Sequence, residues 1–350
     1  MEKRIGYALL AAILFGISTP FSKLLIGDVA PILLAALLYL GSGIGLSVWL
    51  ALRRLRANGD IDHASLTAAD LPWLAGAILA GGIVGPVLLM TGLANLPAAS
   101  ASLLLNMEGV LTALLAWFVF REQFDRRIFI GMMLIILAGV LLSWQGGTGT
   151  RISWGALCVV AACLCWAIDN NLTRKVSASD AVQIAALKGV VAGAVNLSVA
   201  LFWLELPLPA ATRIAAAGLI GLGGYGLSLV LFVLALRHLG TARTGAYFSA
   251  APFVGVAISL VLLGERPDTV FWLAAALMAI GIWLHVTEVH DHSHSHPVLS
   301  HTHTHRHDEH HRHAHDFPWD GQEPHTHAHE HSPLTHAHRH FPDIHHRHRH

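Results

Sequence analysis

The chain has 350 residues, 54% of them hydrophobic and 13% charged, and its mean hydropathy is +0.55 although a polar tail lowers it. Its 22 Lys and Arg balance 22 Asp and Glu, so no clustered basic footprint for nucleic acid stands out. So much apolar sequence with so little charge excludes a large soluble domain and indicates a membrane protein. Cys158, Cys163 and Cys165 share one apolar stretch and set up no disulfide framework.

From the N-terminus, Met1-Glu2-Lys3-Arg4 runs into roughly 20 apolar residues, enough to cross a ~30 Å hydrocarbon core at about 1.5 Å per residue. No small-residue cleavage site ends that run, so it reads as a retained first helix and not a signal peptide. Windows of this kind then recur along the chain, at 5–26, 30–52, 71–93, 98–120, 127–144, 153–172, 181–203, 213–236, 241–263 and 268–288. All must be helices, because unpaired backbone in hydrocarbon costs several kcal/mol per group and the spans are too long for barrel strands. The fold class expected is therefore an all-α integral membrane protein of ten transmembrane helices. With the N-terminus inside, twelve Lys or Arg fall in cytoplasmic segments and four, Lys23, Arg151, Arg213 and Arg266, in outer ones. That bias places both termini in the cytoplasm.

Sliding the chain by 143 residues lays Leu93 through Glu122 on Leu236 through Glu265 without a gap, with Leu93/Leu236, Leu96/Leu239, Ala99/Ala242 and Glu122/Glu265 identical. The shift divides ten spans into five and five, and an odd number per half inserts the second half upside down, an architecture that holds transporter substrates near the midplane. The run Asn106-Met107-Glu108-Gly109-Val110-Leu111-Thr112-Ala113-Leu114-Leu115-Ala116-Trp117 with Arg121-Glu122, and Pro252 with Leu263-Gly264-Glu265-Arg266, resemble the EamA-like branch of the drug/metabolite transporter superfamily. The resemblance covers about residues 5–288. It implies two inverted five-helix EamA repeats around a central cavity that moves a small organic solute, commonly outward. Arg121 replaces the glycine that precedes the glutamate in the second half. The expected organisation is a first repeat at 1–144, a second at 150–288 and a tail at 289–350.

Glu108 falls near the centre of the fourth span, where ionisable groups face a cavity or a partner; its counterpart is Ala251, so the fold does not need a carboxylate at both positions. Glu122 and Glu265 occur in both halves at helix exits and read as structural, bonding amides at the start of the next helix. Asp169-Asn170-Asn171 ends the sixth span and Lys188 lies two turns into the seventh. Asp169 and Lys188 can pair as a gate or anion contact, or sit at the interface with the lysine snorkelling. Asn106, Trp166, Tyr225 and Tyr247 are further pathway candidates, weighed against ordinary packing and interface belts. Pro20, Pro86 and Pro252 mark kinks, and Gly41/Gly45, Gly81/Gly85 and Gly189/Gly193 mark close helix contacts. Gly221-Leu222-Gly223-Gly224-Tyr225-Gly226 has dinucleotide-loop spacing, but it lies inside an apolar span without the required strand and helix.

Of 26 histidines, 23 lie between His290 and His350. The tail's composition cannot bury enough apolar surface to offset chain ordering, so a disordered histidine-rich tail is expected. Neutral imidazoles suit zinc, nickel, cobalt and copper. The candidate ligands are His292, His294, His296, His301, His303, His305, His307, His310, His311, His313, His315, His325, His327, His329, His331, His336, His338 and His340.

The leading expectation is a secondary transporter, an exporter of a small metabolite in the bacterial inner membrane, with a metal-binding regulatory tail. The alternatives are a transporter of a divalent transition metal and a non-transporting membrane metal sensor. Transport needs no cofactor, and no enzyme site can be assembled. The expected partners are the lipid bilayer, a small-molecule solute and divalent metal ions, with no nucleic acid; a homodimer stays open.

Overall fold

The computed structural model describes all residues except 1, 57–69, 121–125, 146–150, 177–179, 240–243, 245–246, 287–289, 297–298, 306–324, 332–333 and 341–350. Two compact units divide the chain, Met1–Glu288 and Val289–His350.

The first unit is a helical body. Helix α1 (Glu2–Leu25) leads to α2 (Pro31–Arg56). The third span combines α3 (Leu71–Ala77), a π-helical segment Ile78–Val84 and α4 (Gly85–Ala94). The fourth is split into α5 (Ala98–Leu104) and α6 (Met107–Phe120), and α7 (Arg126–Ser143) follows. A short antiparallel pair, β1 (Trp144–Gln145) with β2 (Arg151–Ile152), links the halves. Helix α8 (Trp154–Val176) comes next, then α9 (Ala181–Ser198), which ends in a π-helical segment Val199–Trp203. Helix α10 (Ala211–Gly221), a π-helical segment Leu222–Leu227 and α11 (Ser228–Leu239) make one long span. The body closes with α12 (Ala251–Leu262) and α13 (Thr269–Val286).

Among the described residues, eight stretches are long and apolar enough to cross a bilayer, and Ala251–Leu262 and Thr269–Leu284 are shorter apolar helices. Large apolar side chains face outward all around the body, with Phe202, Trp203 and Val261 more than 80% exposed. Such a surface is untenable in water and suits lipid. Trp73, Trp144, Trp154 and Trp203, all exposed near helix ends, occupy the positions of an interfacial aromatic belt. The chain is an integral membrane protein.

Inside the body, α2 packs against α9 and α10, α7 against α13, α4 and α6 against α8, and α1 against α11 and α12. With lipid on one side and protein on the other, packing and not water exclusion holds helices together, so small residues mark the contacts. Gly189 of α9 lies on the backbone of Gly43, and Gly41 on that of Gly218 in α10. Leu33, Leu34 and Leu38 of α2 are fully buried behind these crossings.

Two departures from uniform helices shape the interior. Leu105 and Asn106 interrupt the fourth span, where Leu105 N donates to Ser102 O and Asn106 N to Leu103 O, tightened bonds that end α5. The Asn106 side chain reinforces the stop by donating from Nδ2 to Leu103 O at 3.0 Å, the competition between amide side chains and helix backbone. The ninth span breaks likewise before α12, where Ala250 N donates to Tyr247 O. The expectation of continuous helices at 98–120 and 241–263 is thus corrected. The glycine-rich run from Gly221 lies in a wide π turn, and no loop for a cofactor forms there.

The second unit also departs from expectation. Its described residues form β3 (His290–His296), β4 (Leu299–His305), β5 (His325–His331) and β6 (Leu334–His340), with β3 antiparallel to β6 and β4 to β5. Disorder is not what these segments show. Composition argued against a core, but strict His-x-His alternation also has the two-residue period of a strand.

Candidate functional site

Polar contacts of the body form one cluster near the end of α8 and another at the start of α5, with Glu108 between them. Near the end of α8, Asp169 is buried and accepts from Lys188 Nζ of α9 at 2.5 and 2.6 Å, one bond to each carboxylate oxygen. Thr173, one turn further along α8, donates to Asp169 Oδ1 at 2.8 Å. Side-chain exposures of 14% for Lys188 and 9% for Asp169 make this a shielded pair. Gly81 in the first π segment leaves the room, because a Cβ there would overlap the Asp169 carboxylate.

That same π turn frees carbonyls that a regular helix would bind, and side chains from three helices take them. Tyr39 Oη of α2 donates to Gly81 O at 2.8 Å, Trp166 Nε1 of α8 donates to it at 2.9 Å, and Asn196 Nδ2 of α9 donates to Ile83 O at 3.2 Å. Tyr225, in the π segment after α10, packs at a tilt against Tyr39 with centroids 5.5 Å apart and edge-on against Phe15 at 6.0 Å.

Glu108 sits in the first turn of α6, immediately after the break. About ten residues past Ala98 at ~1.5 Å each puts it ~15 Å into the span, near mid-membrane. Asn170 Nδ2 of α8 donates to Glu108 Oε1 at 2.9 Å and lies 3.5 Å from Thr112 Oγ1. Asn171 Nδ2 donates to Thr112 O at 3.4 Å and to Ala167 O at 2.8 Å. Asn170 is exposed and Glu108 half-buried. Consecutive α8 residues therefore turn one carboxylate toward Lys188 and an amide toward Glu108, so the lysine charge is already matched while Glu108 holds a neutral partner.

The opposite end is tied differently. Glu265, just beyond α12, accepts from Ala98 N at 2.6 Å and Ala99 N at 2.8 Å, the first amides of α5. The helix whose start it satisfies belongs to the fourth span, not to the next helix as the sequence suggested. Gly264 makes the turn, with φ +64°, a left-handed conformation that non-glycine residues enter at a cost. Lys23, at the end of α1, donates to Leu93 O at 2.5 Å and Leu96 O at 2.8 Å. The two ends are opposed because α3 and α4 run antiparallel to α8: Gly92 meets Gly155 and Val159, whereas Gly81 meets Asp169.

Among the sequence candidates, the structure joins Glu108 with Asn170, Asp169 with Lys188, and Trp166 with the Gly81 carbonyl next to that pair. Asn106 is buried at the break, with Met278 Sδ 3.6 Å from its amide, and does not meet Asn170. Tyr225 belongs to the aromatic contact with Tyr39, and Tyr247 is half-buried before the second break. Glu122, His307, His310, His311, His313 and His315 lie outside the described residues. In the tail, register sets His292 opposite His338, His294 opposite His336, His301 opposite His329, His303 opposite His327 and His305 opposite His325, while His296 and His331 face leucines. Among the described residues, no group of three or more His, Cys, Asp or Glu is placed to hold a metal ion. Sequence reasoning missed Tyr39, Thr112 and Thr173, polar groups in apolar spans that carry the signal but not their partners. It counted Lys23 only as a loop charge.

An apolar helical body that crosses the bilayer and keeps a carboxylate, an ion pair and several amides within it defines a polytopic membrane protein with a polar interior, the class to which solute carriers belong. The profile of the EamA-like transporter family matches twice, at residues 3–144 and 153–287. The chain belongs to the EamA-like transporter family. An uncharacterized transporter of Methanothermobacter thermautotrophicus is 28% identical over 81% of this chain and 87% of its own. A probable amino-acid metabolite efflux pump of Escherichia coli is 24% identical over 82% and 96%. An uncharacterized inner membrane transporter of Escherichia coli is 23% identical over 42% of this chain and 48% of its own length. A crystal structure 20% identical in sequence superposes with a TM-score of 0.58 over 80% of this chain and 95% of that one, a likeness of fold.

Proposed function

We propose that the chain is a secondary exporter of a small organic metabolite in the inner membrane, with Glu108 as the ionisable group of its central path. The observation that carries this reading is the position of Glu108: mid-span, at the start of a half-helix, bonded to the neutral amide of an exposed asparagine. A carboxylate at that depth is costly unless it serves a cavity or a partner, and Lys188 is already committed to Asp169. An ammonium group on a solute is the natural counter-charge. The name of the Escherichia coli relative makes amino-acid metabolites the first class to test.

Two inverted repeats of five spans are part of the proposal. Exchanging the halves maps the α2–α9 and α7–α13 contacts onto themselves, α4–α8 onto α1–α11, and α6–α8 onto α1–α12. The π segments Ile78–Val84 and Leu222–Leu227, and the breaks at Leu105–Asn106 and Ser249–Ala250, correspond to within one residue under the 143-residue shift. Discontinuous helices in both halves mark substrate sites in carriers of this design. The charge bias of the loops supports cytoplasmic termini, which puts Asp169 and Lys188 at the inner end.

The tail is proposed to bind divalent transition metal and regulate the carrier, supported by the density of imidazoles and by His-opposite-His register in β3 with β6 and β4 with β5. Metal as cargo has no such support in the described body. Counterflow of labelled amino acids in proteoliposomes tests the central reading: the parent chain should exchange at least one, Glu108→Gln should lose at least tenfold in rate, and the chain cut at Glu288 should keep exchanging. Unchanged flux in Glu108→Gln would remove Glu108 from the path.

A further inference from the structure

We propose that Glu265 and Lys23 form a latch that closes one end of the body, and that this end opens to solvent when the latch is released. The proposal rests on the carrier reading, since only a protein that alternates needs the second state. Three segments meet here. The Glu265 carboxylate spends one oxygen on Ala98 N and the other on Ala99 N, at 2.6 and 2.8 Å. Those amides start α5, where no earlier turn supplies an acceptor. The Lys23 ammonium spans the turn between α4 and α5 by donating to Leu93 O and Leu96 O at 2.5 and 2.8 Å, and it lies within the field of the Glu265 carboxylate. The end of α1, the turn before α5 and the loop after α12 are thereby tied through one carboxylate and one ammonium.

A separate observation shows what lies beneath. The seam between α1, α5 and α12, lined by Gly16, Thr19, Ser102, Leu105, Ala251 and Pro252, has no room for a water-sized molecule. Yet two hydroxyls in this region, Ser22 Oγ of α1 and Ser102 Oγ of α5, are buried without a hydrogen-bond partner. Unsatisfied buried hydroxyls are uncommon and costly. They are accounted for if water reaches them in another state of the same seam. Helix α5 is short, held at one end by Glu265 and freed at the other by the Leu105–Asn106 break that precedes Glu108. It can swing as a unit, so release at Glu265 reaches the central carboxylate through one rigid element.

Thiol labelling of the full chain in lipid nanodiscs, where both faces meet the reagent, tests the latch. A cysteine introduced as Ser102→Cys should react slowly with a charged methanethiosulfonate. Adding Glu265→Ala should speed it at least tenfold, Glu265→Gln less, because an amide keeps one acceptor oxygen, and Lys23→Met should also speed it. The native Cys163, fully buried, reports on general loosening. A rise confined to position 102 supports the latch. Equal rates in parent and Glu265→Ala, or an equal rise at Cys163, overturn it. Labelling needs no solute, so absence of solute flux in the parent chain would sink the carrier reading while leaving this readout intact.

Discussion

Lys188→Met should destabilise the helical body more than Lys188→Met combined with Asp169→Asn. In the parent, both oxygens of a carboxylate 9% exposed meet one ammonium 14% exposed, and Thr173 adds a third bond. Removing the lysine leaves a buried charge with only a hydroxyl, and breaking one partner of a buried pair costs about 3–5 kcal/mol. Replacing both members leaves an amide that Thr173 can still serve beside an apolar chain of similar length, and such exchanges run from neutral to mildly stabilising. The expected single-variant loss is ~3 kcal/mol, about two powers of ten in the unfolding equilibrium. The double variant should recover at least ~2 kcal/mol of it by the usual size of coupling between contacting residues. Denaturant titration in mixed micelles, followed by circular dichroism, reads all four corners of the cycle. A Lys188→Met chain as stable as the parent, or additive losses, would show that the pair is solvated.

Three other outcomes follow from the same geometry. Gly81→Ala would press a methyl against an Asp169 carboxylate that Lys188 and Thr173 hold in place, so overpacking should cost about 1–3 kcal/mol, measured in the same titration. Glu108→Gln should keep the bond with Asn170 and shift stability by less than ~1 kcal/mol while counterflow falls; a large stability loss would make Glu108 structural. Zinc or nickel bound by the full chain but not by the chain cut at Glu288, measured calorimetrically, should weaken as pH falls through about 6.5, since only neutral imidazole ligates; binding that persists at pH 5 would point to other ligands.

Particular residues show how far the sequence could be read. The 18-residue, mainly apolar stretch Ala98–Leu115 that holds Glu108 announces a membrane span whatever the neighbours do, because hydrocarbon demands helix from any backbone it surrounds. Asp169 and Lys188, 19 residues apart on consecutive spans, were legible as a pair because a short connection fixes antiparallel neighbours. Tyr39 and Trp166 were not, since their meeting point is one carbonyl of a π turn at Gly81, and no local pattern reports a carbonyl left free. Glu265 lay in between: its place after a glycine suggested amide capping, but Ala98 is 167 residues away in sequence.

Membrane insertion, the number of apolar segments, the repeat shift and the charge bias of the loops belong to the sequence alone, because solvent partition and chain length act on each segment separately. Only tertiary structure decided that α5 and α6 are separate pieces, that Lys188 is spent on Asp169, that Glu108 is left with Asn170, and that Glu265 holds a helix of the other half. Those outcomes depend on which backbone atoms remain unpaired once helices cross at Gly41, Gly43 and Gly189, and a close approach between distant segments has no signature within either one.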